Sequence, residues 1–430
     1  MIKKSMNIIQ NLPDNYSKIS YSLLCLAAGT IPFTRFLMLP IFFALALTWL
    51  FMHPWKNTWR YYTQQKLWIP LCTYCIFFIF IVIGTLYSQN TAKAIADWEC
   101  KVWFLGAPLF LFPLLPFLHK KNWISLLILF VMSNLAVSIG NIVWSAAIFA
   151  QTGDKMQFFY KNASHFFGSA PTHPSYLAMY ACFSWLICAE LLRKKLLAEH
   201  KTLKIIFIAA LIIFPIEIML LQSKAGIIAF GIALLWGMVL FLNNRQKRPI
   251  ITVFAIAAFV PIFAFLTTFP RATNRINESI STLQHGNKNN PSDGTTQRVI
   301  IWQTALELSI ENMPFGVGTG DVLETLQNAY RPKGYTYMYQ RKLNCHNQYL
   351  ETTLGLGIFG LLALLIWLVV PFYSAIKKKD ALLLGFVIIV AMNMLVESML
   401  ETRAGSNFIP LFTILLWLSH PTKQTEEDLA

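Results

Sequence analysis

The sequence predicts an all-α polytopic membrane protein, with about twelve transmembrane helices and one large, partly helical loop on the outer side. Three observations carry that reading. The 430 residues are 56% hydrophobic and only 13% charged, with a mean hydropathy of +0.52. A soluble domain carries roughly a quarter charged residues. Apolar runs recur along the whole chain, each near the length of about 20 residues that crosses hydrocarbon. The basic residues, finally, are dense in every second inter-helix segment, as an orientation signal requires.

The apolar runs lie at 19–35, 37–52, 68–87, 103–118, 123–150, 174–192, 205–221, 225–242, 249–267, 352–376, 381–399 and 405–420. About 18 largely polar residues precede the first, with no small-residue cleavage site after it, so it reads as an uncleaved span rather than a signal peptide. With the N-terminus inside, the inner segments hold Lys3, Lys4, Lys18, Lys56, Arg60, Lys66, Lys120 and Lys121. They continue with Arg193, Lys194, Lys195, Lys201, Lys204, Arg245, Lys247, Arg248, Lys377, Lys378, Lys379 and Lys423. The short outer segments hold only Arg35, Lys93, Lys101, Lys155, Lys161, Lys224 and Arg403. The net charge of +15 is therefore mainly an orientation signal, with both ends cytoplasmic, and not the footprint of a nucleic-acid partner. The partner surface this composition implies is the lipid bilayer.

Residues 1–267 thus read as a membrane domain of about nine helices, 268–351 as an outer loop domain, and 352–430 as three last helices with a cytoplasmic tail. The loop opens "TTFPRATNRINESISTLQHGNKNNPSDGTTQ", polar and rich in turn formers. It then becomes amphipathic, with Val299, Trp302, Leu306, Ile310 and Met313 at helical spacing. Pro314 and Gly316, Gly318 and Gly320 stop that helix, and a tyrosine-rich stretch follows to Arg341. A structured loop of this length is more than a connector.

Several motifs have a sharp and a plain reading. Cys72-x-x-Cys75 has the spacing of a zinc or redox pair, yet it sits inside the third apolar run, which favours a plain buried pair. His165 and His173 lie in the outer segment 151–173 just before the sixth run, with no acidic or cysteine partners near, so they line the top of the membrane domain rather than hold a metal. Gly355-x-Gly357-x-x-Gly360 matches a dinucleotide fingerprint. An apolar helix follows it, and Asp380, at the right sequence distance for a ribose contact, falls some 30 Å away across the bilayer. The glycines therefore read as a surface for close packing against a neighbouring helix.

The polar residues before them are a different matter. His346 and Asn347 fall where the loop re-enters the membrane, and a histidine is the side chain suited to take a proton near neutral pH. The plain alternative is a helix cap. Lys224 sits in a very short outer turn, where it needs an anionic partner, either Glu217 seven residues earlier or a bound phosphate. Arg298 opens the amphipathic loop helix behind two Thr residues, an arrangement suited to an anion. A structural ion pair is the alternative for both. Glu397 and Glu401, four apart, read as neighbours on one helix face that hold Arg403 or orient the base, or simply form a structural network.

At these residues the chain resembles the O-antigen ligase family of the O-antigen ligase/polymerase (Wzy-C) superfamily. Gln222-Ser223-Lys224-Ala225-Gly226 looks like its short outer turn. Arg298-x-x-x-Trp302 followed by "ENMPFGVGTGD" (311–321) is similar to its R-x-x-x-W and P-x-G-x-G segment. His346-Asn347-x-x-Leu350 with Gly357-x-x-Gly360 resembles its H-N-x-x-L and G-x-x-G signature. The resemblance implies a GT-C-like, metal-independent, inverting glycosyltransferase without cofactor, in the bacterial inner membrane with a periplasmic active site. The donor it implies is a glycan on undecaprenyl diphosphate, and the acceptor a sugar hydroxyl of lipid A–core. His346 would then be the catalytic base, and Lys224 and Arg298 would hold the diphosphate. This chain departs from the family where Lys224 replaces the usual Arg, which keeps the charge without the bidentate fork.

Two neighbours in the superfamily share the donor: Wzy-type polymerases, whose acceptor is another lipid-linked glycan, and protein O-oligosaccharyltransferases. The one R-x10-G pair, Arg275 and Gly286, is a spacing that chance supplies readily. A transporter of lipid-linked sugar is the reading from another class. It fits less well, because the charged residues cluster at helix ends and one asymmetric loop dominates.

Overall fold

The computed structural model describes residues 15–33, 36–52, 67–118, 120–154, 157, 172–242 and 294–419. Among them the regular structure is helical, with no strand. The elements are α1 (Asn15–Thr30), α2 (Met38–Met52), α3 (Trp68–Leu86), α4 (Thr91–Lys101), α5 (Trp103–Leu111), α6 (Lys120–Thr152), α7 (Pro174–Arg193), α8 (Lys201–Leu220) and α9 (Lys224–Leu242). They continue with α10 (Gly294–Glu311), α11 (Val322–Tyr330), α12 (Thr336–Arg341), α13 (Gln348–Lys378), α14 (Ala381–Met394) and α15 (Arg403–Leu418). Short 3-10 turns follow α5 and precede α15.

Among the described residues, six helical runs are long and apolar enough to cross a membrane, and four more apolar helices are 10–17 residues long. The chain is a multi-pass helical membrane protein. The expected span 249–267, the loop opening 268–293, His165, and the Arg275 and Gly286 pair lie outside the described residues. Cys72 and Cys75 are free thiols on α3, but the expected buried pair is corrected: Cys72 is exposed and Cys75 half-buried on the outward side of the helix.

α7 is the axis of the bundle. Its apolar window is 94% buried, the signature of a helix covered on every side. Phe183 from α7 meets Phe386 of α14 at 4.5 Å and Phe412 of α15 at 5.3 Å, while Phe130 of α6 meets Phe412 at 4.7 Å. Such tilted and edge-on ring pairs fill the interior without polar groups that would need partners. On α9, Gly226 lies against Ala178 with no room for a Cβ, which brings α9 close to α7 on the loop side.

The loop has its own small core: Ile300, Ile301 and Ala305 of α10, Val322, Leu326 and Tyr330 of α11, Met338, Cys345, and Leu354 of α13. The expected amphipathic face of α10 is corrected here. Leu306 and Ile310 are 52% and 65% exposed, and the buried side carries Thr296, Ile300, Ile301, Thr304, Ala305 and Ser309. α10 packs on α13 and α11 through Ile300, Ile301 and Ala305 with the small polar residues beside them, so the spacing of Leu306 and Ile310 picked the wrong face.

The glycine motif does receive a close neighbour, but the neighbour is a loop. Gly357 has φ +64 and interrupts α13. The segment after α10 runs along the opening, with Val317 N–H donating to the Leu354 carbonyl (2.9 Å), Gly318 N–H to Gly355 (2.9 Å), and Ile358 N–H to Pro314 (3.0 Å). Asp321 closes the other end of that segment. Its carboxylate accepts from the Ser88 hydroxyl (2.9 Å) and from the N–H groups of Gln89 (2.7 Å) and Asn90 (2.8 Å), between α3 and α4. Asp380 sits beyond the far end of α13, about 30 Å from Gly360 at 1.5 Å per residue, where its side chain caps α14 through Leu382 and Leu383 N–H (3.1 Å each).

Candidate active site

The loop meets the bundle at the start of α13, and the charged residues gather there. Asn347 caps α13, its side-chain oxygen accepting from Tyr349 N–H (2.9 Å) and Leu350 N–H (3.1 Å). That cap holds His346 immediately outside the helix, at φ +45. A residue with a Cβ pays about 1–2 kcal/mol to stay in this left-handed region, so the surrounding contacts fix it. Asn344 Oδ1 accepts from His346 N–H (3.2 Å), and the indole N–H of Trp302 donates to the His346 carbonyl (3.4 Å).

His346 Nδ1 lies 2.9 Å from Glu397 Oε2. The other oxygen of Glu397 accepts from Arg298 Nη2 at 2.7 Å. Burial pushes the Glu397 carboxyl up, but the hydrogen bond and charge of His346, with the charges of Arg298 and His173, outweigh it and bring it down to about 2. An ionised carboxylate only accepts, so Nδ1 of His346 donates to it, and a neutral ring in this orientation carries its lone pair on Nε2. His173 caps α7, accepting from Ser175 N–H (3.4 Å). Burial lowers its pKa most, Glu397 raises it, and His346 and Arg298 lower it further, which places it in the same charge cluster.

Lys224 reaches this cluster indirectly. It is exposed at the first residue of α9, where the helix dipole disfavours a cation. Its neighbour Ser223 donates to Ser175 Oγ (3.5 Å), and Ser175 to Glu397 Oε1 (3.5 Å). Gln222 before it takes φ +49, so both signature turns hold a non-glycine residue in the left-handed region. Glu217 is corrected as the partner of Lys224: it points into the bundle and accepts from the Ser138 hydroxyl. Arg298 has a protein anion, Glu397, as its partner. It also donates to the carbonyls of Val396 (3.2 Å) and Gly294 (3.5 Å), which leaves two of a guanidinium's five N–H donors.

Glu397 and Glu401 do not share a helix face. α14 ends at Met394, Glu397 lies in the turn beyond it, and Glu401 closes a 3-10 turn, so the four-residue spacing separates them into two clusters. Glu401 accepts from Lys101 Nζ (2.7 Å) and Gln348 Nε2 (3.1 Å). Burial raises its carboxyl, but the charge and hydrogen bond of Lys101 prevail and hold it low. Lys101, 6% exposed, is also 4.0 Å from Asp97, which pairs with Lys93 at 3.1 Å. Arg403 pairs with Glu99 instead of either expected carboxylate. Glu351 accepts from Cys345 N–H (3.0 Å) and the Ser398 hydroxyl (2.9 Å).

Between the loop and the bundle lies a cavity of about 330 Å³, lined among others by His346, Gln348, Glu351, Lys101, Asp97 and Glu401. Neither Arg298 nor Lys224 lines it. The structure therefore joins His346, Arg298, Glu397 and, through two serines, the Lys224 turn. It separates Glu397, Arg298 and the Lys224 turn from Arg403, while Glu401 shares with His346 only the cavity. Sequence reasoning passed over Lys101, Asp97 and Glu351. Asp97 and Lys101 are legible as opposite charges four apart beside an apolar run, a pairing that reading Lys101 only as an orientation signal leaves out.

Fold and site together define a multi-pass membrane protein with a histidine–carboxylate–arginine constellation where a structured loop meets the bundle. Residues 207–365 match the family model described as O-Antigen ligase, which spans α8 to α13 and contains Lys224, Arg298 and His346. That segment is thus similar to the O-antigen ligase/Wzy-C superfamily, whose members are glycosyltransferase-like ligases and polymerases. A comparison with curated proteins finds no match.

Proposed function

We propose that the chain is an O-antigen ligase that moves a glycan from undecaprenyl diphosphate to a sugar hydroxyl of lipid A–core. The observation that supports this best is His346, held by Glu397 through Nδ1 and lining a cavity at the loop–bundle junction. In this reading the acceptor hydroxyl gives its proton to Nε2 while its oxygen forms the bond to the anomeric carbon. The bond from that carbon to the diphosphate breaks, and its electron pair leaves with the diphosphate. The remaining donors of Arg298 and the charge of Lys224 offset the charge that develops there. Lys224 with the N–H groups at the start of α9 suits a phosphate better than it suits the helix. The site faces the periplasm, and both termini the cytoplasm, of the inner membrane.

The test is transfer by the purified full-length protein from lipid-linked glycan to lipid A–core, without ATP. His346→Ala is expected to reduce turnover by about 100-fold or more; full activity in that variant would remove the base assignment. A polymerase is separated in cells. Loss of a ligase leaves full-length glycan on its lipid carrier and bare core, whereas loss of a polymerase leaves single repeats on core.

A further inference from the structure

We infer that the cavity beneath the loop is the subsite for the acceptor sugar ring and that it presents one ring hydroxyl to His346; this rests on the glycosyl-transfer reading above. The direction of approach is the first argument. In an inverting displacement the attacking oxygen meets the anomeric carbon on the face opposite the leaving group. The cations able to hold a diphosphate lie on the Glu397 side of His346: Arg298 bonded to Glu397, and the Lys224 turn linked to it through Ser223 and Ser175. Arg298, Lys224 and Glu397 are all absent from the cavity wall, while His346 is part of it. The histidine ring thus stands between a diphosphate side and the cavity, and an acceptor seated in the cavity arrives from the far side.

The chemistry of the wall is the second argument. Three cations, Lys93, Lys101 and Lys342, face three carboxylates, Asp97, Glu351 and Glu401. The wall carries as many acidic side chains as lysines and offers both donors and acceptors, which is what a ring of hydroxyls needs. These side chains are already held. Lys101 and Gln348 are fixed on Glu401 at 2.7 and 3.1 Å, and Glu351 is fixed by Cys345 and Ser398. Phe77, Ile81 and Leu356 supply an apolar patch for the C–H face of a ring. The volume of about 330 Å³ falls at the lower end of the roughly 300–1,000 Å³ range of small-molecule sites. It therefore seats a short stretch of saccharide, not a whole glycan.

Leu323 lines the cavity from α11, on the loop, and has no part in the charge network. Leu323→Trp would fill the cavity from that side. In the purified full-length protein, with lipid-linked glycan as donor and lipid A–core as acceptor, it is expected to raise the acceptor KM about tenfold or more, with the donor KM within about twofold. An unchanged acceptor KM in the Trp variant overturns the assignment, and so does a raised donor KM alone, which would give the cavity to the donor glycan. A second measurement does not depend on the Trp variant folding. Leu323→Cys, treated after folding with a membrane-impermeant maleimide, is expected to react at 323 several-fold more slowly with lipid A–core present and at an unchanged rate with the donor. Equal rates with and without acceptor overturn the assignment. A wild-type protein that transfers to no sugar acceptor fails the glycosyl-transfer reading itself, a different result from active protein with an unprotected cavity.

Discussion

Glu397 holds a histidine on one carboxylate oxygen and an arginine on the other, at 2.9 and 2.7 Å. Glu397→Gln keeps the shape but not the charge. A glutamine oxygen can still accept from Arg298, and its amide N–H then faces Nδ1, which must accept and so makes Nε2 the donor. Turnover is expected to fall by about 100-fold, near the low end of what a positioned base contributes. Unchanged turnover would refute the positioning role. The same residue leaves a mark on stability. Its folded pKa of about 2 lies below the ordinary 4.5, so its contribution is complete above about pH 4.5 and is lost as pH falls towards 2. Thermal melting of wild type and Glu397→Gln is expected to differ most at neutral pH and to converge on acidification through that window.

At the scale of elements, the interruption of α13 decides how the loop docks. A Cβ at Gly357 would lie 1.8 Å from the Pro314 carbonyl oxygen, and the residue has φ +64. Gly357→Ala therefore meets both a clash with backbone and a left-handed conformation that alone costs about 1–2 kcal/mol. The loop is expected to lift from α13, loosening the hydrogen bonds of Val317, Gly318 and Ile358. Limited proteolysis should then cut within 311–321 in the variant at protease levels that spare the wild type. Equal resistance would show that the Asp321 anchor holds the segment without the glycine. Asn347 and Asn344 act at the same scale: one starts α13, the other fixes the residue before it, and His346 lies between.

For the molecule as a whole, the Lys377–Lys379 turn at one end of α13 and His346 just before its other end belong on opposite sides of the bilayer. Cysteines introduced at Lys342 and at Lys379 test that arrangement. An impermeant thiol reagent is expected to label position 342 in intact spheroplasts and position 379 only after permeabilisation. The reverse pattern would invert the topology and place the cavity on the cytoplasmic side.

The sequence by itself determined the class of fold and the sites of most apolar helices, and its motifs singled out Lys224, Arg298 and His346 as candidates. These properties are local. Hydrocarbon thickness sets run length, and charge beside a run biases its orientation. The helix that follows "HNQYLETTLGLGIFG" excluded a nucleotide without any coordinates. Only the tertiary structure decided what those residues touch. Four-residue spacing joined Glu397 to Glu401, whereas the end of α14 at Met394 parts them. Apolar spacing on α10 chose Leu306 and Ile310, whereas the helix buries Ile300, Ile301 and Ala305. The glycines awaited a helix and received a loop. Glu397 meets Arg298 from 99 positions away and His346 from 51, and Lys101 meets Glu401 from 300. A buried charge selects its partner by distance in space, and no periodicity along one helix records that choice.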